Sequence, residues 1–253
     1  MENLPKKILS LPGRLFKLLT EGRYLLIEYK NESSESLSWA MADLQHAELI
    51  WQKKLTLPGN SLYSASYAGD KFFVLKNYDL KNYTLSKGMC VYDTKEARPL
   101  WSDQNFIFVS AFDEVIEVRD FHYQERILQV NAFTGEVLQG ALLPSVVDLP
   151  VIYPQTYVEG NVYYEDIFRF LHQIDSNTVR QPIYYAESKL HITIAYQNLN
   201  GSIICVLNKN GEIAYTDMSQ HIYCEAGREP FFISSQRLVY CNNYSDIAVV
   251  FLN

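Results

Sequence analysis

Titratable side chains are most concentrated between Glu114 and Arg126, in the run Glu-Val-Ile-Glu-Val-Arg-Asp-Phe-His-Tyr-Gln-Glu-Arg. Carboxylate, imidazole and guanidinium groups at the tip of a hairpin could together form a polar binding site. The alternation of apolar and charged residues also fits a half-exposed strand whose charges face water or pair across the hairpin. We favour the strand for the charged residues. We keep His122 and Tyr123, at the predicted tip, as binding candidates because exposed loops often carry function.

A second candidate is the segment Tyr78–Gly88, which is long for a connection between two strands. Long connections are usually functional or disordered. Tyrosine is enriched at protein interfaces, so Tyr78 and Tyr83, with Lys81 and Lys87 beside them, could form a partner-binding surface. Extra loop length without a function is the alternative.

Local catalytic motifs are absent from the sequence. It contains no Gly-x-Gly-x-x-Gly, no phosphate-binding Gly-Lys-Ser/Thr, no His-Glu-x-x-His, no Cys-x-x-Cys and no Gly-x-Ser-x-Gly. The runs Tyr163-Tyr-Glu-Asp166 and Tyr184-Tyr185 combine aromatic and acidic groups that suit either a carbohydrate cleft or ordinary packing. We therefore assign no catalytic, metal-binding or cofactor-binding residue from the sequence.

Composition restricts the class of partner. The 253 residues carry a net charge of −7 with a pI of about 5.3, and no basic run exceeds Lys6-Lys7 or Lys53-Lys54. Binding to nucleic acid depends on clustered Lys and Arg, so neither nucleic acid nor an anionic membrane is an expected partner. No apolar run approaches the about 20 residues that span a bilayer, and no signal peptide is recognisable. The sequence thus predicts a soluble, cytoplasmic protein.

An internal repeat organises the chain. The segment Asp43–Trp51 aligns without a gap on Asp93–Trp101, and the same frame recurs at Asn131–Gln139, at Asn208–Tyr215 and, in degenerate form, from Asp175. Each copy predicts a strand, a tight polar turn and a second strand, with Gly135 or Gly211 supplying the backbone conformation that hairpin turns require. The copies begin on average about 41 residues apart, within the roughly 40–45 residues of a four-stranded propeller blade.

The pattern hydrophobic-x-Asp-x-x-Thr-Gly-Glu-x-Leu-Trp resembles the outer hairpin of blades in the pyrroloquinoline-quinone-type and WD-type propeller families. Val91–Trp101 and Val130–Gln139 match it best. A resemblance to an uncharacterised bacterial family of such propellers has no motif to support it. The blade resemblance implies a single all-β domain over residues 1–253, a propeller of about six four-stranded blades. Residues 150–187 would form the fourth blade and residues 188–218 the fifth. Because this fifth stretch is short, five blades in total remain an alternative. For the segment Ser34–Leu55, a helix is the alternative to two strands.

The two ends of the chain predict closure of the ring. Lys6–Gly13 resembles Lys53–Gly59, which leaves the outer strand of the first complete blade, and the C-terminus supplies only three strands. We therefore expect residues 5–11 to complete the blade formed by residues 229–253, which would satisfy edge groups that otherwise promote aggregation. A frayed N-terminal arm is the alternative.

Cysteines are predicted to be structural. The sequence has Cys90, Cys205, Cys224 and Cys241 without close pairing, which in a cytoplasmic protein favours reduced core residues over a disulfide framework. Cys90 and Cys205 share one repeat position with a residue of the degenerate copy, His172. We therefore expect His172 to be a buried histidine rather than a ligand.

The expected function is that of a non-enzymatic binding or scaffold propeller with a protein or small-molecule ligand. A hydrolase of sugars, lactones or esters is the alternative, with acidic or histidine side chains converging on the propeller axis. The blade resemblance alone would imply a quinone-dependent dehydrogenase, a weaker reading because such enzymes are larger. Whether the chain is an enzyme stays open, with the absence of local motifs favouring a binding protein.

Overall fold

The computed structural model describes residues 4–31, 36–59, 62–79, 84–120, 126–140, 142, 151–219 and 230–252. The chain divides into two compact units, one of residues 17–150 and one of residues 1–16 with 151–253. Within the described ranges no helix is both long and apolar enough to cross a membrane. The elements are β1 (Lys6–Ser10), β2 (Gly13–Leu19), β3 (Tyr24–Asn31), β4 (Leu37–Asp43), β5 (Glu48–Lys53), β6 (Leu62–Ala68), β7 (Phe72–Asp79), β8 (Thr84–Asp93), β9 (Pro99–Asp103), β10 (Phe106–Phe112), β11 (Val115–Asp120), β12 (Ile127–Asn131), β13 (Gln155–Tyr157), α1 (Tyr164–Ile174), β14 (Ile183–Glu187), β15 (His191–Asn198), β16 (Gly201–Asn208), β17 (Ile213–Ser219), β18 (Phe231–Ser234), β19 (Arg237–Cys241) and β20 (Asp246–Phe251).

These strands form five antiparallel sheets in the described part of the chain. The first sheet contains β2–β5, the second β6–β9, the third β10–β12 and the fourth β13–β17, each in sequence order. The closing sheet has the order β1-β20-β19-β18, and its Cα register places Lys6 opposite Val250 and Ser10 opposite Asp246. The all-β prediction is thus confirmed. The prediction that the N-terminal strand completes the C-terminal sheet is confirmed as well.

Neighbouring sheets within each unit pack face to face through their apolar sides. In the unit of residues 17–150, Trp39, Tyr63 and Tyr92 lie in a cluster between the first and second sheets, and a second cluster joins the second and third sheets. In the other unit, Ile204 and Tyr240 belong to a cluster between the fourth and closing sheets. Burial of such large side chains is the main favourable contribution to the stability of each unit.

The repeated Asp or Asn begins each outer turn with side-chain hydrogen bonds to the backbone. The Asp43 carboxylate accepts from the N–H of Gln45 at 2.9 Å, and that of Asp93 accepts from Lys95 and Glu96 at 2.9 Å each. Asn131, Asp175 and Asn208 accept in the same way from residues two to four positions on. These Asx turns explain why one residue type recurs at this position, and they exclude the helix over Ser34–Leu55.

The repeated Trp residues connect one sheet to the turn of the next. The Trp51 Nε1–H donates to the carbonyl of Thr94 at 2.8 Å, and the Trp101 Nε1–H donates to the carbonyl of Ala132 at 2.8 Å. Both acceptors directly follow an Asx residue. The left-handed Gly135, at φ 74°, lies so close to the Trp101 indole that an added Cβ would meet it at 2.9 Å.

The predicted boundary between a fourth and a fifth blade is not present. Residues 150–187 and 188–218 contribute to one five-stranded sheet, because β14 and β15 pair directly, with Tyr184 opposite Ala195. The degenerate repeat copy failed to indicate this because α1 occupies the segment before Asp175 where the repeat requires a strand. The described residues therefore contain five sheets rather than six.

The cysteines agree with the sequence prediction only in part. Cys90 and Cys205 are buried free thiols, and burial raises their pKa values to about 11 and about 12, which disfavours the reactive thiolate form. Cys241 is disulfide-bonded, which corrects the prediction that every cysteine is reduced. Cys224 lies outside the described residues.

The contact of Gly135 with Trp101 generates a stability prediction. Gly135→Ala would force a methyl group into the indole as well as placing Ala at positive φ. Gly211 lies in the shorter turn that begins at Asn208, at φ 82° with nothing within 4 Å of a built Cβ, so Gly211→Ala incurs only the backbone cost of about 1–2 kcal/mol. We expect Gly135→Ala to lower the free energy of unfolding by at least about 1 kcal/mol more, measured by urea denaturation. Equal losses in the two variants would show that the indole contact is unimportant.

Candidate binding site

Only one of the four binding residues predicted from the sequence lies in the described structure. Tyr78 is in β7, with its Cα opposite those of Leu62 and Leu85. Tyr83, His122 and Tyr123 lie outside the described residues. The prediction of a long connection over Tyr78–Gly88 is wrong, because β7 continues to Asp79 and β8 begins at Thr84. The length is absorbed by two paired strands, with a register shift between Lys76 and Tyr78, rather than by a loop.

A helix inserted in the fourth sheet carries a different group of candidate residues. In α1, Tyr164 and Leu171 are buried and Phe168 is half-buried against the sheet, a spacing that fits one face of a helix. Glu165 and Asp166 lie in the first turn, where carboxylates interact favourably with the helix dipole. The sequence run Tyr163–Asp166 therefore forms a helix start, and its buried Tyr164 is a packing residue.

Aromatic rings stack along this helix at intervals of four residues. The Tyr164 and Phe168 ring centroids are 6.1 Å apart and the Phe168 and His172 centroids 6.0 Å apart, each pair at an interplanar angle of 15°. His172 is exposed, so the prediction of a buried histidine is wrong. The reason is that it lies on a helix and not at the inward-facing position of a strand.

Arg180 covers the other side of the same ring. Its guanidinium carbon is 4.8 Å from the Phe168 centroid, and its nitrogens contact both Glu165 oxygens, at 2.6 and 3.0 Å, and Glu159 at 3.1 Å. The hydrogen bond to Glu165 raises the pKa of Arg180 and lowers that of Glu165. All three side chains are exposed, so these ion pairs orient the guanidinium but stabilise the fold little.

A groove of about 470 Å³ opens beside this helix and is lined by Val179, Gln181, Pro182, Tyr184 and Gln197. The hydroxyl of Tyr164, the first residue of α1, donates to the Gln181 carbonyl at 3.2 Å and so connects the helix to the groove wall. No lining residue carries a charge, and the surface combines apolar side chains with amide groups. Such a groove suits a neutral ligand with apolar groups and hydrogen-bonding amides.

The loop that precedes α1 exposes three apolar side chains and is here called the apolar loop, residues 158–163. Val158 is 45% exposed, Val162 86% and Tyr163 64%. The loop is held in shape by Asn161, whose side-chain oxygen accepts from the Val158 N–H at 2.7 Å and whose carbonyl accepts from the Tyr164 N–H at 3.1 Å. Exposed apolar side chains on an ordered loop are a feature of interaction sites.

Acidic residues from equivalent turns of three successive sheets provide the arrangement closest to the predicted hydrolase. Glu21, Asp70 and Asp113 each lie between the first two strands of a sheet, and their charges reinforce the effect of burial in raising the pKa of Tyr67 to about 12. Among the residues that the structure describes, no three His, Cys, Asp or Glu side chains are grouped so that they could hold a metal ion.

A buried acid that the sequence did not single out lies between the first and second sheets. Glu28 is fully buried, and its Oε2 accepts from the Ser64 hydroxyl at 3.0 Å and the Ala65 N–H at 2.8 Å. Lys17 donates to the Ala65 carbonyl at 2.6 Å. Burial raises the pKa of Glu28, an effect that the two hydrogen bonds and Lys17 only partly offset. The N–H and C=O of Ala65 point away from its own sheet, at an edge strand, and are satisfied by side chains of the neighbouring sheet.

The raised pKa of Glu28 predicts a pH-dependent stability. In the unfolded chain Glu28 ionises near its ordinary value of 4.5, whereas the folded protein holds the proton to higher pH. The folded state therefore binds more protons in this range, and stability falls as the pH rises from the unfolded pKa through the folded one. We expect the free energy of unfolding of the wild type, measured by urea denaturation, to decline over that pH interval relative to that of Glu28→Gln. Glu96→Gln, at a side chain 69% exposed, should follow the wild type, and a Glu28→Gln curve parallel to the wild type would contradict the prediction.

No family model matches the sequence, and no curated protein matches it. The chain is structurally similar to a putative exported protein from Bacteroides fragilis, with 11% identity, a TM-score of 0.42 and coverage of 99% of this chain and 95% of that one. It is also similar to a member of the DUF4221 family from Bacteroides vulgatus (11% identity, TM-score 0.23, coverage 99% and 98%) and to the Dos1 propeller (12% identity, TM-score 0.23, coverage 97% and 55%). Because these TM-scores are below 0.5, the fold is defined by the sheets and strand registers described above: an all-β chain of mostly four-stranded antiparallel sheets.

Proposed function

We propose that this protein is a non-enzymatic binding protein whose ligand occupies the groove beside α1 and contacts the apolar loop. The observation that carries the proposal is the exposure of Val158, Val162 and Tyr163 next to the buried start of the helix. Leaving such side chains in water forgoes the roughly 25 cal/mol per Å² that their burial would contribute. A ligand that covers them would recover this free energy on binding.

An extended polypeptide is the ligand class that we infer for this surface. The groove offers the Gln181 and Gln197 side chains as amide groups, which match the N–H and C=O groups of a peptide backbone. Pro182, Tyr184 and Val179 provide apolar contacts for its side chains. Tyr163 resembles the aromatic residues that dominate binding energy at protein interfaces, because it combines a large apolar ring with a polar hydroxyl.

Arg180 adds a directional element at the edge of this surface. Arg180 lies between the groove residues Val179 and Gln181 in the sequence. The carboxylates of Glu159 and Glu165 hold its guanidinium over the Phe168 ring. A planar guanidinium held in one orientation can donate hydrogen bonds to a carbonyl or carboxylate of a ligand with little further loss of side-chain entropy. We therefore expect bound peptides to place an acceptor group beside Arg180.

The proposal predicts that two exposed residues carry peptide binding. Phage-displayed random peptides would be selected on the wild-type chain, and the affinity of an enriched peptide measured by fluorescence anisotropy. We expect Val162→Ser with Tyr163→Ser to weaken binding at least tenfold, since truncating an interface aromatic typically costs about 2 kcal/mol.

Met218→Ser is the matched control, because Met218 is an exposed apolar residue of β17 at the far edge of the same sheet. It should leave the affinity unchanged. Failure to enrich any peptide whose binding depends on the apolar loop would refute the proposal. Steady turnover of chromogenic esters, lactones or glycosides would instead support the hydrolase.

A further inference from the structure

The N-terminal strand β1 contributes little buried apolar surface to the closing sheet. It pairs with β20 over five residues, yet of its own side chains only Leu9 is buried, while Lys6, Lys7, Ile8 and Ser10 are exposed. By contrast, the four central residues of β20 are fully buried in the core of the closing sheet. β1 therefore contributes a strand edge to this sheet and little of its apolar core.

Polar contacts at the start of β1 complement an acidic site on the fourth sheet. The Lys6 ammonium donates to Asp217 at 2.6 Å and to the Asn242 side chain at 3.3 Å. Tyr240 also donates to Asp217, and its hydroxyl is 2.8 Å from that of Tyr215. In a chain of net charge −7, Lys6 thus meets a carboxylate acceptor, and the same residue of a second copy would find the same charge.

A short connection separates β1 from the rest of the chain. Only Leu11 and Pro12 lie between β1 and β2, and the Leu11 N–H donates to the Ser245 carbonyl at 2.9 Å. Proline restricts the backbone of this connection and of the residue before it. Short, conformationally restricted connections favour exchange of a terminal strand, because the open form relieves the constraint while the strand makes identical contacts elsewhere.

We propose that the β20 edge accepts β1 from a second copy of this chain, so that the protein forms a strand-exchanged dimer. The donated strand keeps the same register, with Lys6 opposite Val250 and Ile8 opposite Ala248, and brings Lys6 to Asp217 of the other copy. Exchange adds no contact that the closed monomer lacks, so dimerisation depends on protein concentration. Repulsion between two acidic chains opposes it, and added salt, which screens that repulsion, increases the dimer fraction.

Two variants of the chain, each with one added cysteine, test this exchange. One copy carries Ile8→Cys and the other, with a different tag, carries Ala248→Cys; these Cα positions are partners in the register. A disulfide between the two copies forms only when β1 of one lies in the closing sheet of the other. We expect a covalent heterodimer after concentrated mixing and mild oxidation, in a yield that rises with protein concentration. Cys90 and Cys205 contribute little background because they are buried.

A second mixture, of Leu199→Cys with Ala248→Cys, measures cross-linking by chance collision. Leu199 is an exposed residue in the turn between β15 and β16. A yield for the Ile8 pair no higher than for the Leu199 pair overturns the proposal. A chain with both Ile8→Cys and Ala248→Cys must form the intramolecular disulfide on dilution, which shows that the substituted strand still folds into place. If that bond forms and the heterodimer does not, β1 is a permanent part of its own sheet.

Discussion

The hydrogen bond from an outer-strand aromatic residue to the neighbouring sheet is the interaction on which the repeat architecture depends. An Asx turn uses its side chain to bind backbone N–H groups, which leaves the next carbonyl without a partner inside its own hairpin. Trp51 and Trp101 satisfy that carbonyl from the preceding sheet, at Thr94 and Ala132. Because an unpaired buried carbonyl costs about 1–3 kcal/mol, turn and indole stabilise each other. At the corresponding end of the fourth copy, the hydroxyl of Tyr215 contacts that of Tyr240 in the closing sheet.

The candidate binding surface lies where this repeat is interrupted. In the regular sheets the repeat positions serve packing, turn formation and contacts to the next sheet. In the fourth sheet α1 is inserted between β13 and β14, the loop before it exposes Val162 and Tyr163, and a groove opens at Pro182. The loop before α1 is not part of the repeat, so no repeated element of a neighbouring sheet packs on it. Its apolar side chains therefore remain exposed to water.

Edge strands are treated differently in the two units. At β6, Glu28 and Lys17 of the adjacent sheet satisfy both backbone groups of Ala65, so a buried acid with a raised pKa is retained for a structural purpose. At β20, the edge is covered by β1, a strand distant in sequence. Both solutions satisfy backbone groups that would otherwise recruit another strand, but in the second β1 itself becomes the edge strand of the closing sheet.

The repeat of Asp or Asn, turn and Trp determined the all-β class and the outer hairpins, because local turn chemistry and a fixed period are properties of sequence alone. The pairing of the two chain ends followed from the likeness of Lys6–Gly13 to Lys53–Gly59 and from a C-terminus with only three strands. Tertiary structure decided the rest. The single sheet over 155–219 and the helix within it depend on long-range strand pairing, which a degenerate repeat does not specify. Glu28 had no sequence signal, since its importance comes from burial against Ser64 and Ala65. Tyr163 and Tyr184 were noted as an aromatic pattern, but only packing could show that Tyr164 is buried while its neighbour is exposed.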